Sequence, residues 1–267
     1  MNGQFLNGWA LILGASSGFG EACALELAAS GMDIFGVHLD RKGTLANIDR
    51  ITARIQEKGR RAVFFNVNAA DPEKRKTVLD EIEKTLSAGT ERRIRVLIHS
   101  LAFGTLKPFI ADSPNQTIAQ AQMEMTLDVM ANSLVYWTQD LVARNFLGEG
   151  GRIFGMTSAG SARVWKSYGA VSAAKAALES HLRQLALELG PKGIAVNAIR
   201  AGVTDTPALR KIPGHEEMIK IAQGRNPMGR LTTPEDAAGA IALLSHPKAQ
   251  WLTGNVIGVD GGEFIVD

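Results

Sequence analysis

Short apolar runs alternate along the chain with longer stretches whose apolar residues recur every three or four positions. The runs at 9–13, 34–39, 62–67, 96–100, 153–157, 195–199 and 256–259 predict strands, several of them apolar throughout. Between them, Ile48, Ile51 and Ile55 mark one helix, and Val78, Ile82 and Leu86 mark another. Strands apolar on both faces, alternating with amphipathic helices, point to a parallel sheet covered on both sides. Right-handed crossovers between about seven such strands give a doubly wound α/β architecture. A further helix is announced by Thr233 as N-cap, Pro234 at the first position, and Glu235 and Asp236 in the first turn.

The longest periodic stretch, 171–189, carries Val171, Ala174, Leu178, Leu182, Leu185 and Leu189 on one stripe and contains no proline, which predicts a helix. Tyr168 and Lys175 stand seven positions apart at its start. At roughly 100° per residue that is nearly two turns, so both side chains fall on one face, about 10.5 Å apart along the axis. Ser158 follows the strand just upstream. A hydroxyl at a strand end, with a phenol and an ammonium on the next helix, can handle a proton. The same residues also fit an N-cap serine and a solvated helix face, and nothing local chooses between the two.

Composition narrows the picture. The chain has 267 residues, 45% of them hydrophobic, and 28 glycines. No linker, repeat or low-complexity tract divides it, so a single domain over 1–267 is expected. No apolar run reaches membrane-spanning length, and Met1, Asn2, Gly3 and Gln4 lack the charged start of a signal peptide. The expectation is a cytoplasmic protein with no membrane partner. A net charge of +2 gives no reason to expect nucleic acid. Cys23, the sole cysteine, permits no internal disulfide and reads as a small core residue. The five histidines (38, 99, 181, 215 and 246) show no ligand-spaced pair, so no metal site is expected.

The first strand runs into Gly14, Ala15, Ser16, Ser17, Gly18, Phe19 and Gly20, followed by the helical stretch 21–29. Glycines there let the backbone turn tightly and approach a pyrophosphate, which then rests on a helix N-terminus. A bare glycine triplet can be only a turn. Between the first strand and the first helix it indicates a dinucleotide.

These motifs together resemble the short-chain dehydrogenase/reductase superfamily: the glycines at 14, 18 and 20, Ser158, Tyr168, Lys175, the Ala201–Thr206 turn and Val259 to Gly262. The match covers essentially the whole chain and implies a Rossmann-type fold. It implies that Asn66 and Val67 flank the adenine, that Ser100, Leu101, Ala102 and Thr157 line the cofactor, and that Lys175 holds the nicotinamide ribose. Gly202, Val203, Thr204 and Thr206 would meet the carboxamide and pyrophosphate.

Two departures refine the resemblance. The superfamily's usual spacing is Tyr-x3-Lys, but the residue four before Lys175 is Val171, and the tyrosine lies three positions further back. Three helical residues displace it by about 4.5 Å. A carbonyl reductase needs its phenol at the oxygen of the carbon that receives hydride. An enoyl thioester receives hydride at the β-carbon, while charge gathers on a carbonyl whose carbon lies roughly 2.5 Å further along. The Tyr-x6-Lys spacing is similar to that of enoyl-[acyl-carrier-protein] reductases, as is the segment His99 to Phe103. Second, Met130 stands where many carbonyl reductases of the superfamily carry a catalytic asparagine. Within the enoyl reductases, the intact glycine loop and Ser158 ten positions before Tyr168 resemble the divergent group that keeps the ordinary loop and usually takes NADPH.

The resemblance implies catalysis by Tyr168, Lys175 and Ser158, with Lys175 lowering the phenol's pKa. His38 holds the place of the usual ribose-binding acid, followed by Asp40, Arg41 and Lys42. Arg41 and Lys42 suit a 2′-phosphate and suggest NADPH. Asp40 suits free ribose hydroxyls and NADH, and a plain solvated loop fits the same residues. The stretch 204–230 reads as a lid over an apolar acyl chain. Its bases Arg210, Lys211, Lys220 and Arg225 fit an acidic acyl carrier protein or a solvated face. Leu178, Leu182, Leu185, Trp251 and Phe264 suggest surplus apolar surface and, with the superfamily's habit, a homotetramer. The reading is an enoyl-[acyl-carrier-protein] reductase of fatty-acid synthesis. The alternatives are a reductase of a ketone, quinone or enoyl-CoA, and a nucleotide-binding regulator without turnover.

Overall fold

The computed structural model describes residues 5–89 and 93–266, so the first four residues, and the signal-peptide expectation placed on them, lie outside the described residues. Seven strands form one parallel sheet in the order β3-β2-β1-β4-β5-β6-β7. They are β1 (Trp9–Leu13), β2 (Asp33–His38), β3 (Ala62–Asn66), β4 (Ile94–His99), β5 (Arg152–Ser158), β6 (Ala195–Ala201) and β7 (Val256–Val259). Each predicted strand lies within two residues of one of these. The helices are α1 (Gly18–Ala29), α2 (Leu45–Glu57), α3 (Pro72–Ser87), α4 (Gln120–Leu127), α5 (Ser133–Ala143), α6 (Gly169–Leu189), α7 (His215–Arg225) and α8 (Pro234–Leu244).

Two cores cover the two sheet faces. Cys23 and Leu27 of α1, Ile48, Ile51 and Ile55 of α2, and Ala237 and Ile241 of α8 pack on one face. Val78, Ile82 and Leu86 of α3, Trp137 of α5, and Leu178, Leu182 and Leu185 of α6 pack on the other. Burying one such leucine contributes about 1.5–3 kcal/mol. These α6 leucines are consumed within the chain, which corrects the expectation that they offer surface to a partner: the sheet face is wide enough to take the whole stripe. Trp251, 95% exposed, keeps that role open. Cys23 is buried, and burial pushes its thiol up to about 12. Thr233 and Asp236 close the expected cap on α8: the Asp236 N–H donates to Thr233 Oγ1 at 3.3 Å and the Thr233 N–H to Asp236 Oδ2 at 2.8 Å. No helix among the described residues is long and apolar enough to cross a membrane.

From β1 the chain builds outward through β2 and β3, then crosses to β4 and continues the other way. Helices therefore diverge above the carboxyl ends of β1 and β4, opening a crevice where open α/β sheets bind ligands.

Candidate active site

The crevice is a cleft of about 560 Å³. The turn after β1 lines it with Gly14, Ser16, Ser17, Gly18 and Phe19, and the end of β2 with His38, Asp40 and Arg41. Val67 and Asn68 after β3, and Ser100, Leu101 and Ala102 after β4, complete the floor. The glycine loop is packed against itself. A Cβ on Gly20 would stand 1.9 Å from the Gly14 carbonyl oxygen, and one on Gly14 would stand 2.6 Å from Ser100 O. That closeness brings bare backbone and the N-terminus of α1 to the cleft, a geometry that fits a pyrophosphate. At the far rim the Asp40 carboxylate meets His38 Nδ1 at 2.8 Å and accepts from Thr44 Oγ1 at 2.7 Å. Burial would raise its pKa, but hydrogen bonds from Thr44, Ser16 and His38 outweigh that and hold it below the usual carboxylate range.

A second cavity, about 360 Å³, opens beside it. Ser158 and Tyr168 line it with Val164, Trp165, Leu209, Ile212, Met218 and Ile221, a largely apolar wall. Tyr168 is the N-cap of α6 and not part of its first turn. Ser167, at a left-handed φ of 63°, swings the chain into it, and the Tyr168 N–H donates to Trp165 O at 3.1 Å. The one-helix geometry expected for Tyr168 and Lys175 is thereby corrected, because the helix starts one residue too late to hold the tyrosine. Val171, in the first turn, is buried against Val129, Met130 and Ala174. Gly160 leaves room for the phenol: a Cβ there would lie 2.6 Å from the Tyr168 ring.

Ser158 hydrogen-bonds the phenol. Burial nonetheless pushes Tyr168 above its ordinary value, and the Ser158 bond offsets this only in part. The expected lowering by Lys175 is therefore corrected: desolvation decides, and the phenol stays protonated at neutral pH. Lys175 is 6% exposed; its ammonium donates to Met156 O at 2.7 Å. Burial lowers it to about 8, with Glu179 pulling the other way. His99 is buried behind it, and burial together with the Lys175 charge brings it down to about 3, so the ring is neutral. Its Nε2 meets Ser133 Oγ at 2.9 Å. Between α4 and α5 the helix widens into a π turn, Asp128–Asn132, which buries Met130. The side-chain oxygen of nearby Asn132 meets His181 Nε2 at 3.0 Å.

A family model described as "Enoyl-(Acyl carrier protein) reductase" matches residues 14–263. The chain belongs to the short-chain dehydrogenase/reductases. It is 30% identical over 240 residues to an enoyl-[acyl-carrier-protein] reductase [NADH] of Nostoc, covering 90% of this chain and 88% of that one. It is 28% identical to an Arabidopsis thaliana "NADPH-dependent aldehyde reductase-like protein", over 95% of this chain and 93% of the relative. The crystal structure of an enoyl-[acyl-carrier-protein] reductase (NADH) from Aquifex aeolicus superposes with a TM-score of 0.83 at 23% identity, covering 97% of each chain.

In this dehydrogenase/reductase several residues expected to meet the cofactor are engaged elsewhere. Asn66 holds the backbone of Asp40, accepting from its N–H at 2.9 Å and donating to its carbonyl at 3.0 Å. Thr157 is buried with its hydroxyl on Glu179 Oε1, 2.7 Å away. Thr204 is buried and bonds Gly202 O at 3.0 Å. Gly202 and Val203 line the smaller cavity, while Thr206 lines the cleft, so this loop borders both. The Lys42 side chain lies outside the described residues. Of the four bases given to a carrier protein, Arg210 pairs with Asp205 at 2.8 Å, Lys211 lines the cleft and Arg225 the smaller cavity. Glu263, buried and accepting from the Val203 N–H at 2.9 Å, had no motif to announce it. Glu179 did have a signal: it sits one helical turn beyond Lys175.

Proposed function

We propose that this oxidoreductase reduces the trans-2 double bond of an enoyl thioester carried on acyl carrier protein. The observation that supports this most is the position of the phenol. It precedes α6, while apolar Val171 occupies the first-turn place from which a phenol would reach a hydride-accepting carbonyl. The cleft suits a nicotinamide dinucleotide, which when bound supplies the hydride. Hydride addition at the β-carbon moves the double-bond electrons toward the thioester oxygen. Tyr168 donates a hydrogen bond to that developing oxyanion, and protonation at the α-carbon completes the saturated product. Ser158 orients the phenol. Lys175, with one N–H on Met156 O, has donors left for ribose hydroxyls. The apolar wall of Leu209, Ile212, Met218 and Ile221 suits an acyl chain, with 204–230 as its lid.

Arg41 supports NADPH as the donor, with NADH accepted as well, and Asp40 is the group that opposes a 2′-phosphate. In this reading the exposed lid bases Arg210, Lys211 and Lys220, with half-buried Arg225, face the carrier protein, the assembly is a homotetramer, and the site of action is the cytoplasm. The test is steady-state turnover of crotonyl against acetoacetyl thioester with each nicotinamide. Crotonyl thioester should be the faster substrate. Faster acetoacetyl reduction would replace this reading with that of a carbonyl reductase.

A further inference from the structure

The dyad of Ser158 and Tyr168 leaves one acidic group beside the site without a role. Glu179 lies one turn beyond Lys175 on α6, and the two side chains are anchored to neighbouring residues of β5. The Lys175 ammonium donates to Met156 O at 2.7 Å, and Thr157 Oγ1 donates to Glu179 Oε1 at 2.7 Å. A buried ammonium needs a compensating charge to stay ionised. Among the described residues, the other charged or titratable groups packed around α6 do not supply one. His99 of β4 is neutral, and the Lys175 charge helps to keep it so. Asp128 of the π turn answers to Arg75, and Asp140 of α5 pairs with Arg75 at 2.7 Å. Glu124 of α4 accepts from Gln120. Arg200 of β6 pairs with Asp260, and His181 is bonded to Asn132.

We propose that Glu179 is a positioning residue: tied down by Thr157 one turn beyond Lys175, it keeps that lysine in its ammonium form, the form that donates to Met156 O of β5. This rests on Lys175 serving the site as proposed above. Burial has already brought the ammonium from 10.5 to about 8. The charged form is therefore present below about pH 8 and is lost as the pH rises through that value. Without the Glu179 carboxylate the loss begins at lower pH, closer to neutrality.

The test is competitive acetylation of Lys175 across pH, read by peptide mass spectrometry on the cofactor-free protein, beside nicotinamide affinity at the same pH values. Glu179→Gln keeps an oxygen for Thr157 but removes the charge. It should move the midpoint of Lys175 labelling down by about one pH unit or more, and cofactor binding should weaken at neutral pH while remaining close to wild type at pH 6. Thr157→Val, which leaves both charges but frees the carboxylate, should shift the midpoint the same way by less, and it decides the matter should Glu179→Gln not fold. An unmoved midpoint, or affinity lost equally at all pH values, overturns the proposal and makes Glu179 a packing residue. Because labelling needs no substrate, failure of the enoyl assignment would leave this result readable.

Discussion

The cofactor cleft and the smaller cavity share the loop at 202–208 but are made of different material. The cleft is floored by backbone: glycines, helix N-terminus and strand ends, packed so closely that Gly14 and Gly20 have no space for a methyl group. The smaller cavity is walled by side chains, Val164, Leu209, Ile212, Met218 and Ile221, carried on connections and on α7. Backbone geometry recognises what every dinucleotide shares, whereas side chains can be exchanged without disturbing the sheet. On the proposed reading the first region supplies generic binding and the second substrate choice.

The harshest way to break this contrast is Gly20→Ala. A Cβ 1.9 Å from the Gly14 carbonyl forces the loop apart, which should cost about 1–3 kcal/mol of stability and abolish nicotinamide binding. Thermal melting and cofactor fluorescence read the two losses. Wild-type binding in this variant would mean that the loop is not the cradle. A smaller effect is expected at Asp40, where the cleft relies on a side chain. Asp40→Asn removes a charge from the lining of the cleft and should raise kcat/KM for NADPH relative to NADH about five-fold, equivalent to roughly 1 kcal/mol of repulsion at a solvated site. An unchanged ratio would show that Asp40 does not read the 2′ position.

The same contrast explains what the sequence makes legible. The glycine loop is readable because its spacing between a strand and a helix has few other uses. The α6 stripe is readable because six apolar residues share one face, and all six are buried. The start of α6 was not readable: it depends on the left-handed backbone at Ser167 and on the Tyr168 N–H reaching Trp165 O, neither of which leaves a periodic mark. Thr157 and Thr204 are expected at the cofactor from their place in the chain, but nothing in that place foretells where their hydroxyls turn: Thr157 meets Glu179 on α6, and Thr204 the nearby Gly202 carbonyl. Chain position names a residue's neighbourhood, and only packing decides which way it faces.

The position of the phenol is the central claim, and it is tested by moving the hydroxyl instead of deleting it. Tyr168→Phe/Val171→Tyr returns the phenol to four residues before Lys175, inside the first turn of α6. Crotonyl thioester turnover should fall by roughly 10²–10³, the scale of one lost oxyanion donor, while cofactor affinity is kept. Any new activity should appear on ketones, and weakly, because buried Met130 offers no amide to relay a proton. A double variant that reduces crotonyl thioester as fast as wild type would contradict the claim, since enoyl reduction would then not depend on where the phenol stands.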